Sequence, residues 1–348
     1  MKKEPSQTIL VSGGAGYIGS HTVIALQQLG FRVVIVDNLS NSHHFILDRI
    51  QQISGVKPVF YKADLCDIHA LKSVFQQEPG IIASIHFAAL KAVGESVEKP
   101  LLYYRNNLLS LINLMEVQTE FGVDKMVFSS SCTVYGQPDS LPVTERSAVK
   151  AAASPYGNTK QIGEEMIRDF SDVAKLNAIA LRYFNPVGAH ASALIGELPI
   201  GIPNNLVPYI TQTAIGKHKA LRVFGNDYDT PDGTCIRDYI HVEDVAAAHV
   251  AALKRLMNNH NRDTFEVFNI GTGRGHSVLE VVNAFSRAYG KPLPYEIHPR
   301  RAGDIEAVYA DTSSSNEMLN WKAKKNLDEM MSSAWAWEQK LKEDNIQL

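Results

Sequence analysis

Tyr156 and Lys160 are the two residues whose types and spacing most directly suggest catalysis. They stand four positions apart in SPYGNTKQIGEEM, and on a helix such residues share one face with their Cβ atoms about 5–6 Å apart. A free tyrosine titrates near pH 10, so a phenol acting as a base near pH 7 needs its pKa lowered by roughly three units, or about 4 kcal/mol. A neighbouring ammonium supplies part of that stabilisation. The YxxxK pattern alone is common, and a pair on the protein surface also satisfies it.

Hydroxyl side chains precede this pair in the segment FSSSCTVYG. Ser129, Ser130, Ser131 and Thr133 lie at the end of a predicted strand. Ligands of open α/β sheets bind at the carboxyl edge of the strands. Three successive serines there favour a shelf of hydrogen-bonding groups for a ligand, although hydroxyls at strand ends also serve as local caps.

A glycine-rich turn follows the first predicted strand. Gly13, Gly16 and Gly19 give the spacing GxxGxxG. Glycine at these places allows a tight turn, a close backbone approach to a pyrophosphate and close packing of the next helix. The N–H groups at the start of that helix are then available to an anion. A glycine triplet alone also fits an ordinary strand-to-helix turn.

Asp37 ends the second predicted strand, 18 residues beyond Gly19. This is close to the distance expected for a carboxylate that accepts hydrogen bonds from an adenosine ribose. An acid there repels a 2′-phosphate, so the pattern favours NAD over NADP. Asp64, which follows the third strand, is a weaker candidate for a bond to the adenine, because aspartate commonly ends strands. The cationic nicotinamide ring would join Lys160 in lowering the pKa of Tyr156.

The elements that must position these residues alternate along the first half of the chain. Short β-branched runs read as strands, and stretches with apolar residues three and four apart read as helices. The predicted strands are TILVS, VVIVD, PVFYKAD, ASIHFA, KMVFSSS and AIALRYF. This alternation predicts an α/β fold with a doubly wound parallel (Rossmann) sheet.

Near residue 185 the sequence changes to loops rich in proline and glycine. We expect an NAD-binding domain over residues 1–185 and a smaller α/β substrate domain over residues 186–348. HVEDVAAAHVAALKRL reads as a helix and EVFNIG as a strand, and residues near 238–275 are expected to rejoin the first domain.

Composition narrows the classes of function. The chain has 348 residues, of which 45% are hydrophobic and 20% charged, with a formal charge of -3. There is no basic field for nucleic acid or for an anionic membrane surface. The sequence contains no uninterrupted run of about 18 apolar residues, so no membrane span is predicted. The absence of a signal peptide favours the cytoplasm. Three scattered cysteines argue against disulfides, and no spacing predicts a metal site.

The sequence resembles the UDP-galactose (UDP-glucose) 4-epimerases of the extended short-chain dehydrogenase/reductase family. The resemblance covers nearly the whole chain and rests on motifs that occur in the family's order. They are GGAGYIGSH, HFAALKAV, SSSCTVYG, YGNTK, RYFNPVGAH, GIPNNL, VFGNDY, IRDYIHVEDVA and RRAGD.

The resemblance implies roles for many residues. Tyr156 would be the general base, Lys160 would lower its pKa and hold the nicotinamide ribose, and Ser131 would bind the reacting hydroxyl. The implied NAD-binding residues are Gly13, Gly16, Tyr17, Ile18, Gly19, Asp37, Asn38, Asp64, Leu65, Phe87, Ala88, Ala89, Lys91, Asn106, Ser131, Tyr156, Lys160 and Phe184. The implied UDP-hexose-binding residues are Lys91, Ser131, Thr133, Tyr156, Asn185, Asn204, Asn205, Leu206, Arg222, Val223, Phe224, Arg237, Arg301, Asp304 and Val308.

The chain departs from the family pattern at four positions. Cys132, Ala89 and Cys235 stand where alanine, glycine and glycine are usual, and all are small. Val308 fills a place where some relatives carry tyrosine and others a small residue. A phenol there would close the pocket beside the sugar C2, so valine predicts activity on UDP-GlcNAc/UDP-GalNAc as well as on UDP-glucose/UDP-galactose.

Two other functions share the fold and the motifs. A nucleotide-sugar 4,6-dehydratase needs an acid/base pair after the serine shelf, where this chain has Cys132, Thr133 and Val134. A non-catalytic NAD-sensing relative usually lacks the tyrosine or the lysine, and both are present here. The resemblance also implies a homodimer, for which the long amphipathic helix from Tyr103 to Leu114 is a candidate seam, although packing within the monomer is the plainer interpretation of that helix.

Overall fold

The computed structural model describes residues 7–201, 203–301 and 305–346. Strands and helices alternate through most of them. The strands are β1 (Thr8–Ser12), β2 (Arg32–Asp37), β3 (Val59–Lys62), β4 (Ile81–His86), β5 (Lys125–Ser131), β6 (Asn177–Tyr183), β7 (Asn185–Val187), β8 (Leu221–Phe224), β9 (Ile236–Arg237), β10 (Tyr239–His241), β11 (Phe265–Ile270), β12 (His276–Ser277), β13 (Tyr295–His298) and β14 (Ala307–Val308). The helices are α1 (Tyr17–Gln28), α2 (Phe45–Ser54), α3 (Ile68–Gln77), α4 (Val93–Glu98), α5 (Pro100–Glu120), α6 (Pro155–Ala174), α7 (Leu206–Ala214), α8 (Val242–Met257), α9 (Val278–Tyr289), α10 (Ser313–Met318) and α11 (Leu327–Glu343).

A parallel sheet of seven strands forms the centre of the molecule, in the order β11-β6-β5-β4-β1-β2-β3. Every residue of β1 is buried, as expected for a parallel strand covered on both faces. Strands β2 and β4 flank β1, so β2 and β3 lie on one side of β1 and the later strands on the other, and the strand order reverses at this point. The predicted doubly wound parallel sheet is therefore confirmed.

Strand β3 is shorter than the predicted run PVFYKAD and ends at Lys62. Past that point the Asp64 carboxylate accepts a hydrogen bond from the backbone N–H of Cys66, 2.8 Å away. This local side-chain bond gives the backbone a turn in place of the sheet ladder.

Helix α8 and strand β11 contact the first half of the chain. β11 pairs with β6 in parallel register and forms one edge of the central sheet. Buried residues of α8 share a hydrophobic cluster with Ile9 and Ile24 of β1 and α1. The boundary near residue 185 stays a prediction.

The remaining elements form three small sheets, β10-β7, β12-β9-β14 and β13-β8, with α7, α9 and α11 around them. They have a hydrophobic cluster of their own, which includes Val223, Phe285 and Met331. Strand β14 lies beside β9, so Val308 is the register partner of Arg237. Within the ranges given above, no helix has the length and apolar character needed to cross a membrane.

Candidate active site

Helix α6 places Tyr156 and Lys160 together at the carboxyl edge of the central sheet. Its N-terminus is fixed by Pro155 and by Ser154, whose hydroxyl accepts a hydrogen bond from the backbone N–H of Gly157 at 3.2 Å. Tyr156 is 8% exposed and Lys160 5%. The ammonium of Lys160 donates to the carbonyl of Ser129 at 2.7 Å and lies 5.9 Å from the centre of the Tyr156 ring.

Burial decides the protonation of both groups. It raises the pKa of Tyr156 well above its ordinary value, and the hydrogen bond with Ser131 opposes this only in part. Burial lowers the pKa of Lys160 to about 8, against the attraction of Glu164. These protein groups alone therefore leave the phenol protonated, and a further positive charge is needed at the site before Tyr156 can act as a base.

The serine strand ends in a 3₁₀ turn over Cys132–Tyr135. The hydroxyl of Ser131 accepts from the N–H of Thr133 at 3.2 Å, which fixes that side chain at the end of β5. The hydroxyl of Thr133 is buried and has no hydrogen-bond partner among the described residues. Thr133 lies against Gly157 of α6, and an unpaired buried hydroxyl there is suited to a polar ligand. Burial raises the pKa of the Cys132 thiol to about 12, so this departure from the family pattern adds no nucleophile.

The glycine-rich turn leaves no room for side chains. Gly13 has φ +72, and a Cβ there would lie 2.7 Å from the backbone nitrogen of Ala88. A Cβ at Gly19 would lie 2.2 Å from the carbonyl oxygen of Gly13. Helix α1 begins at Tyr17 with no side-chain cap, so the N–H groups of its first turn remain available to an anion.

Asp37 stands at the end of β2, next to this turn. Its carboxylate accepts from the N–H groups of Ala15 at 3.1 Å and Leu39 at 2.9 Å. Asn38 donates to Asp64 at 3.0 Å, so these two predicted residues are also brought together. A backbone cradle without side chains, beside a fixed carboxylate, fits a dinucleotide: the turn suits its pyrophosphate and Asp37 its ribose.

Other predicted cofactor residues lie along one edge of the sheet. Phe87 follows β4, and its ring lies 4.6 Å from that of His249. Phe184 follows β6 and is buried. The remaining ones lie on the neighbouring segments: Tyr17 and Ile18 open α1, Ala88 and Ala89 follow Phe87, Leu65 is buried after Asp64, and Asn106 lies on α5.

Three predicted substrate residues meet around β9 and β10. The N–H of Asn185 donates to the carbonyl of Asp238 at 2.9 Å, and the N–H of Asp238 donates to the carbonyl of Val308 at 3.1 Å. Arg237 directly precedes Asp238 and is the register partner of Val308. Asn185, Arg237 and Val308 are thus held together by backbone bonds through Asp238.

The other substrate candidates lie on α7, on β8 and in the loop after β13. Asn204 and Asn205 precede α7 and Leu206 begins it, while Arg222, Val223 and Phe224 are in β8. The guanidinium of Arg301 lies 5.7 Å from the centre of the Phe224 ring. The side chain of Val223 is fully buried. Asp304 lies outside the described residues.

Three acidic residues at the site were missed by sequence reasoning. Glu197 accepts from Lys91 at 3.0 Å and from Asn205 at 2.8 Å. Asp238 accepts from loop N–H groups on two segments, and Glu164 is buried on α6. The position of Glu164, four residues after Lys160, is a signal that could have identified it. No such spacing marks the other two.

The carboxylate of Asp37 gives a first testable expectation. Asp37→Asn keeps the side-chain shape and its acceptor oxygen but removes the charge that repels a 2′-phosphate. We expect the preference for NAD over NADP to narrow by about tenfold. Titration of cofactor-free protein with each dinucleotide measures this, and an unchanged ratio of dissociation constants would show that Asp37 does not face the ribose.

Comparisons with known proteins place this site in context. A family model described as "NAD dependent epimerase/dehydratase family" matches residues 9–271. UDP-glucose 4-epimerase 1 from Oryza sativa subsp. japonica is 52% identical over 338 residues, which covers 96% of this chain and 95% of that protein.

Two solved structures are also similar. A UDP-glucose 4-epimerase from Stenotrophomonas maltophila with bound NAD and formylated UDP-arabinopyranose has a TM-score of 0.94 at 47% identity, covering 97% of this chain and 99% of that one. The UDP-Glc/GlcNAc 4-epimerase from Campylobacter jejuni has a TM-score of 0.83 at 38% identity, covering 96% of this chain and 100% of that one.

Proposed function

Because the chain belongs to the NAD-dependent epimerase/dehydratase family, we propose that it is a UDP-glucose 4-epimerase that interconverts UDP-glucose and UDP-galactose. The observation that carries this proposal is the meeting of Tyr156, Lys160 and Ser131 at the sheet edge beside the glycine turn. Cys132, Thr133 and Val134, the three residues directly after Ser131, include no carboxylate, which disfavours a dehydratase.

Bound NAD would accept a hydride from the sugar C4 and return it, and would add the positive charge that the site lacks. As the phenolate, Tyr156 takes the proton of the 4-hydroxyl on its oxygen and later gives it back. Ser131, which shares a hydrogen bond with Tyr156, orients the reacting hydroxyl. Lys160 stabilises the phenolate by its charge. Because no proton or electron is lost over a cycle, each turn returns the site to its starting state.

The nucleotide must hold the sugar while the ring turns over. Arg237 and Arg301 are the candidates for the diphosphate, since a guanidinium forks onto phosphate oxygens. Asn185, Asn204 and Asn205 supply amide groups around the same region. A 4-ketosugar fixed only through its nucleotide can rotate about the diphosphate and present its other face to Tyr156.

We further propose that N-acetylated UDP-hexoses are substrates. Val308 packs against Val134, Tyr135 and Phe184 and is 4% exposed. Valine extends less far than a phenol, so a group on the sugar C2 would be less obstructed beside Arg237 than with tyrosine at this position. The relative from Campylobacter jejuni, named for UDP-Glc and UDP-GlcNAc, supports an N-acetyl activity within this family.

The proposed function is tested with purified enzyme, UDP-galactose and then UDP-GalNAc, with the products separated by chromatography. We expect conversion of both without net accumulation of NADH. Stoichiometric NADH with an oxidised sugar would indicate a dehydrogenase, and a 4-keto-6-deoxy product would indicate a dehydratase.

A homodimer is the last part of the proposal. Leu101, Leu109 and Ile112 are exposed on one face of α5, at spacings of eight and three residues. A second copy of this chain would cover them by a two-fold contact, which buries the same residues on both sides. We expect sedimentation to give a dimer and Leu109→Glu/Ile112→Glu to give a monomer. A monomeric wild-type protein would contradict this part of the proposal.

A further inference from the structure

The buried face of α6 continues beyond the two catalytic candidates. Tyr156, Lys160 and Glu164 follow at intervals of four residues, and Glu164 is 3% exposed. A charged group at this depth is rare unless it is paired. Glu164 therefore requires an explanation that the chemistry of Tyr156 and Lys160 alone does not give.

The carboxylate of Glu164 joins three elements. It accepts a hydrogen bond at 2.5 Å from the hydroxyl of Ser130 in β5. It also accepts from Arg182 in β6, whose Nε donates at 2.9 Å to one oxygen and whose Nη2 donates at 2.5 Å to the other. One side chain thus fixes α6 to the strand that ends in Ser131 and to the next strand of the sheet.

Helix α6 lies unusually close to the sheet beside Glu164. A Cβ at Gly163 would meet the ring of Phe128 at 3.0 Å and a methyl of Leu111 at 3.2 Å. At this separation, a small rotation of the helix moves Tyr156 and Lys160 relative to the serines. Apolar packing resists separation of α6 from the sheet but gives little direction, whereas a forked ion pair fixes the helix about its own axis.

Stability alone does not account for the pair. A buried ion pair can often be replaced by apolar residues of similar volume without loss of stability. The Nη1 of Arg182 is buried and has no hydrogen-bond partner among the described residues, which is a cost. The guanidinium of Arg182 also lies 4.8 Å from the centre of the Tyr135 ring, so the position of Arg182 depends on the 3₁₀ turn after β5 as well.

We propose that Glu164 is a positioning residue for the reaction: with Ser130 and Arg182 it sets the rotation of α6 against the serine strand, and its negative charge keeps the ammonium of Lys160 in its buried place. The inference rests on the proposed function, because it assumes that Tyr156 and Lys160 perform the chemistry.

The charges around Lys160 support the electrostatic half of the proposal. Burial lowers the pKa of Lys160 to about 8, and the carboxylate of Glu164 raises it. His86 on β4 is neutral, since burial lowers its pKa to about 3. Tyr183 on β6 is also neutral near pH 7, since burial raises its pKa to about 12.

The other neighbours of Lys160 do not replace that charge. The carbonyl of Ser129 and the ring of Phe128 on β5 bear no net charge, and Tyr156 on its own helix is protonated until a cationic cofactor is bound. Arg182 on β6 is positive and is held by Glu164. Removing the carboxylate therefore lowers the pKa of Lys160 further, and the charged form is lost at a lower pH.

The test compares Glu164→Gln/Arg182→Met with Ser130→Ala and with wild type. The double variant removes both charges and retains an acceptor for Ser130, so we expect a melting temperature near that of wild type. With UDP-galactose we expect kcat to fall at least about tenfold and the alkaline limb of its pH profile to move to lower pH, because Glu164 raises the pKa of Lys160 and Arg182 does not offset it. Ser130→Ala keeps the charges of Glu164 and Arg182, so the alkaline limb of its pH profile should stay at the wild-type position.

Glu164→Asp keeps the charge but shortens its reach by one methylene. We expect kcat to fall about tenfold with the alkaline limb and the KM for UDP-galactose unchanged. This variant also keeps the proposal testable if the double variant fails to fold. A folded double variant with the wild-type pH profile, or Glu164→Asp with the wild-type kcat, would overturn the inference. Wild-type enzyme that is inactive on UDP-galactose would instead contradict the proposed function, and this inference with it.

Discussion

Replacement of Tyr156 by phenylalanine is expected to lower kcat on UDP-galactose by about 10²–10⁴, the usual contribution of a general acid–base group. The phenylalanine ring fills the same buried space, so packing against β5 is retained. What is lost is the oxygen that in the proposed mechanism takes the proton of the 4-hydroxyl, and with it the hydrogen bond shared with Ser131. The measurement is steady-state turnover, with product separation, over a range of substrate concentrations.

Tyr104→Phe is the matched control for this prediction. Tyr104 lies on the neighbouring helix α5, and its phenol oxygen accepts a hydrogen bond from Asn158 on α6 at 2.8 Å. The Tyr104→Phe variant also loses a tyrosine hydroxyl, but Tyr104 takes no part in the proposed chemistry. The turnover of this variant should therefore stay within a few fold of wild type. If Tyr156→Phe also turned over at the wild-type rate, another group would have to serve as the base.

The protonation of the site gives the loss of Tyr156 its physical meaning. Burial raises the pKa of the phenol and lowers that of Lys160, so the protein alone favours a neutral tyrosine. Sequence spacing predicted the pair but not the size of this burial effect, which depends on strands far away in sequence. The glycine spacing, Asp37 and the family resemblance together identify a cationic cofactor as the source of the missing charge.

The fold was largely predictable because its signals are local. Alternation of β-branched runs with amphipathic stretches predicted the parallel sheet, and the glycine spacing predicted the turn before α1. The end of β3 was predicted less well. There a side chain, Asp64, competes with the ladder for the N–H of Cys66, and hydrophobic periodicity does not report such a bond.

The polar connections of the site were not predictable in the same way. Glu197 contacts Lys91 and Asn205 across a sequence separation of 106 residues in the first case and 8 in the second. Asp238 accepts bonds from the segments at Gly273 and Ala310. Periodicity shows which face of an element is buried, but it does not show which elements meet at that face.

The residue at position 308 offers the sharpest test of substrate choice. Two hydrogen bonds to Asp238 hold the chain at and after Val308: the carbonyl of Val308 accepts from the N–H of Asp238, and the N–H of Ala310 donates to the Asp238 carboxylate at 3.2 Å. Strand β14 therefore has little freedom to retreat from a larger side chain. We expect Val308→Tyr to lower kcat/KM on UDP-GlcNAc by about 100-fold or more while UDP-glucose turnover stays within several fold, because the phenol excludes only a group on the sugar C2.

Val308→Ala is the control for packing at this position. It enlarges the pocket, so both substrate pairs should remain active, at a cost in stability on the order of 1 kcal/mol that thermal melting measures. Overpacking by tyrosine costs about 1–3 kcal/mol in its own right, so kinetics are compared only at temperatures where each variant is folded. A general distortion of the site would affect every substrate alike. Equal losses on the plain and N-acetylated pairs would therefore contradict the proposal that residue 308 controls access of the N-acetylated sugars. A selective loss of the N-acetylated pair would locate the sugar C2 beside β14.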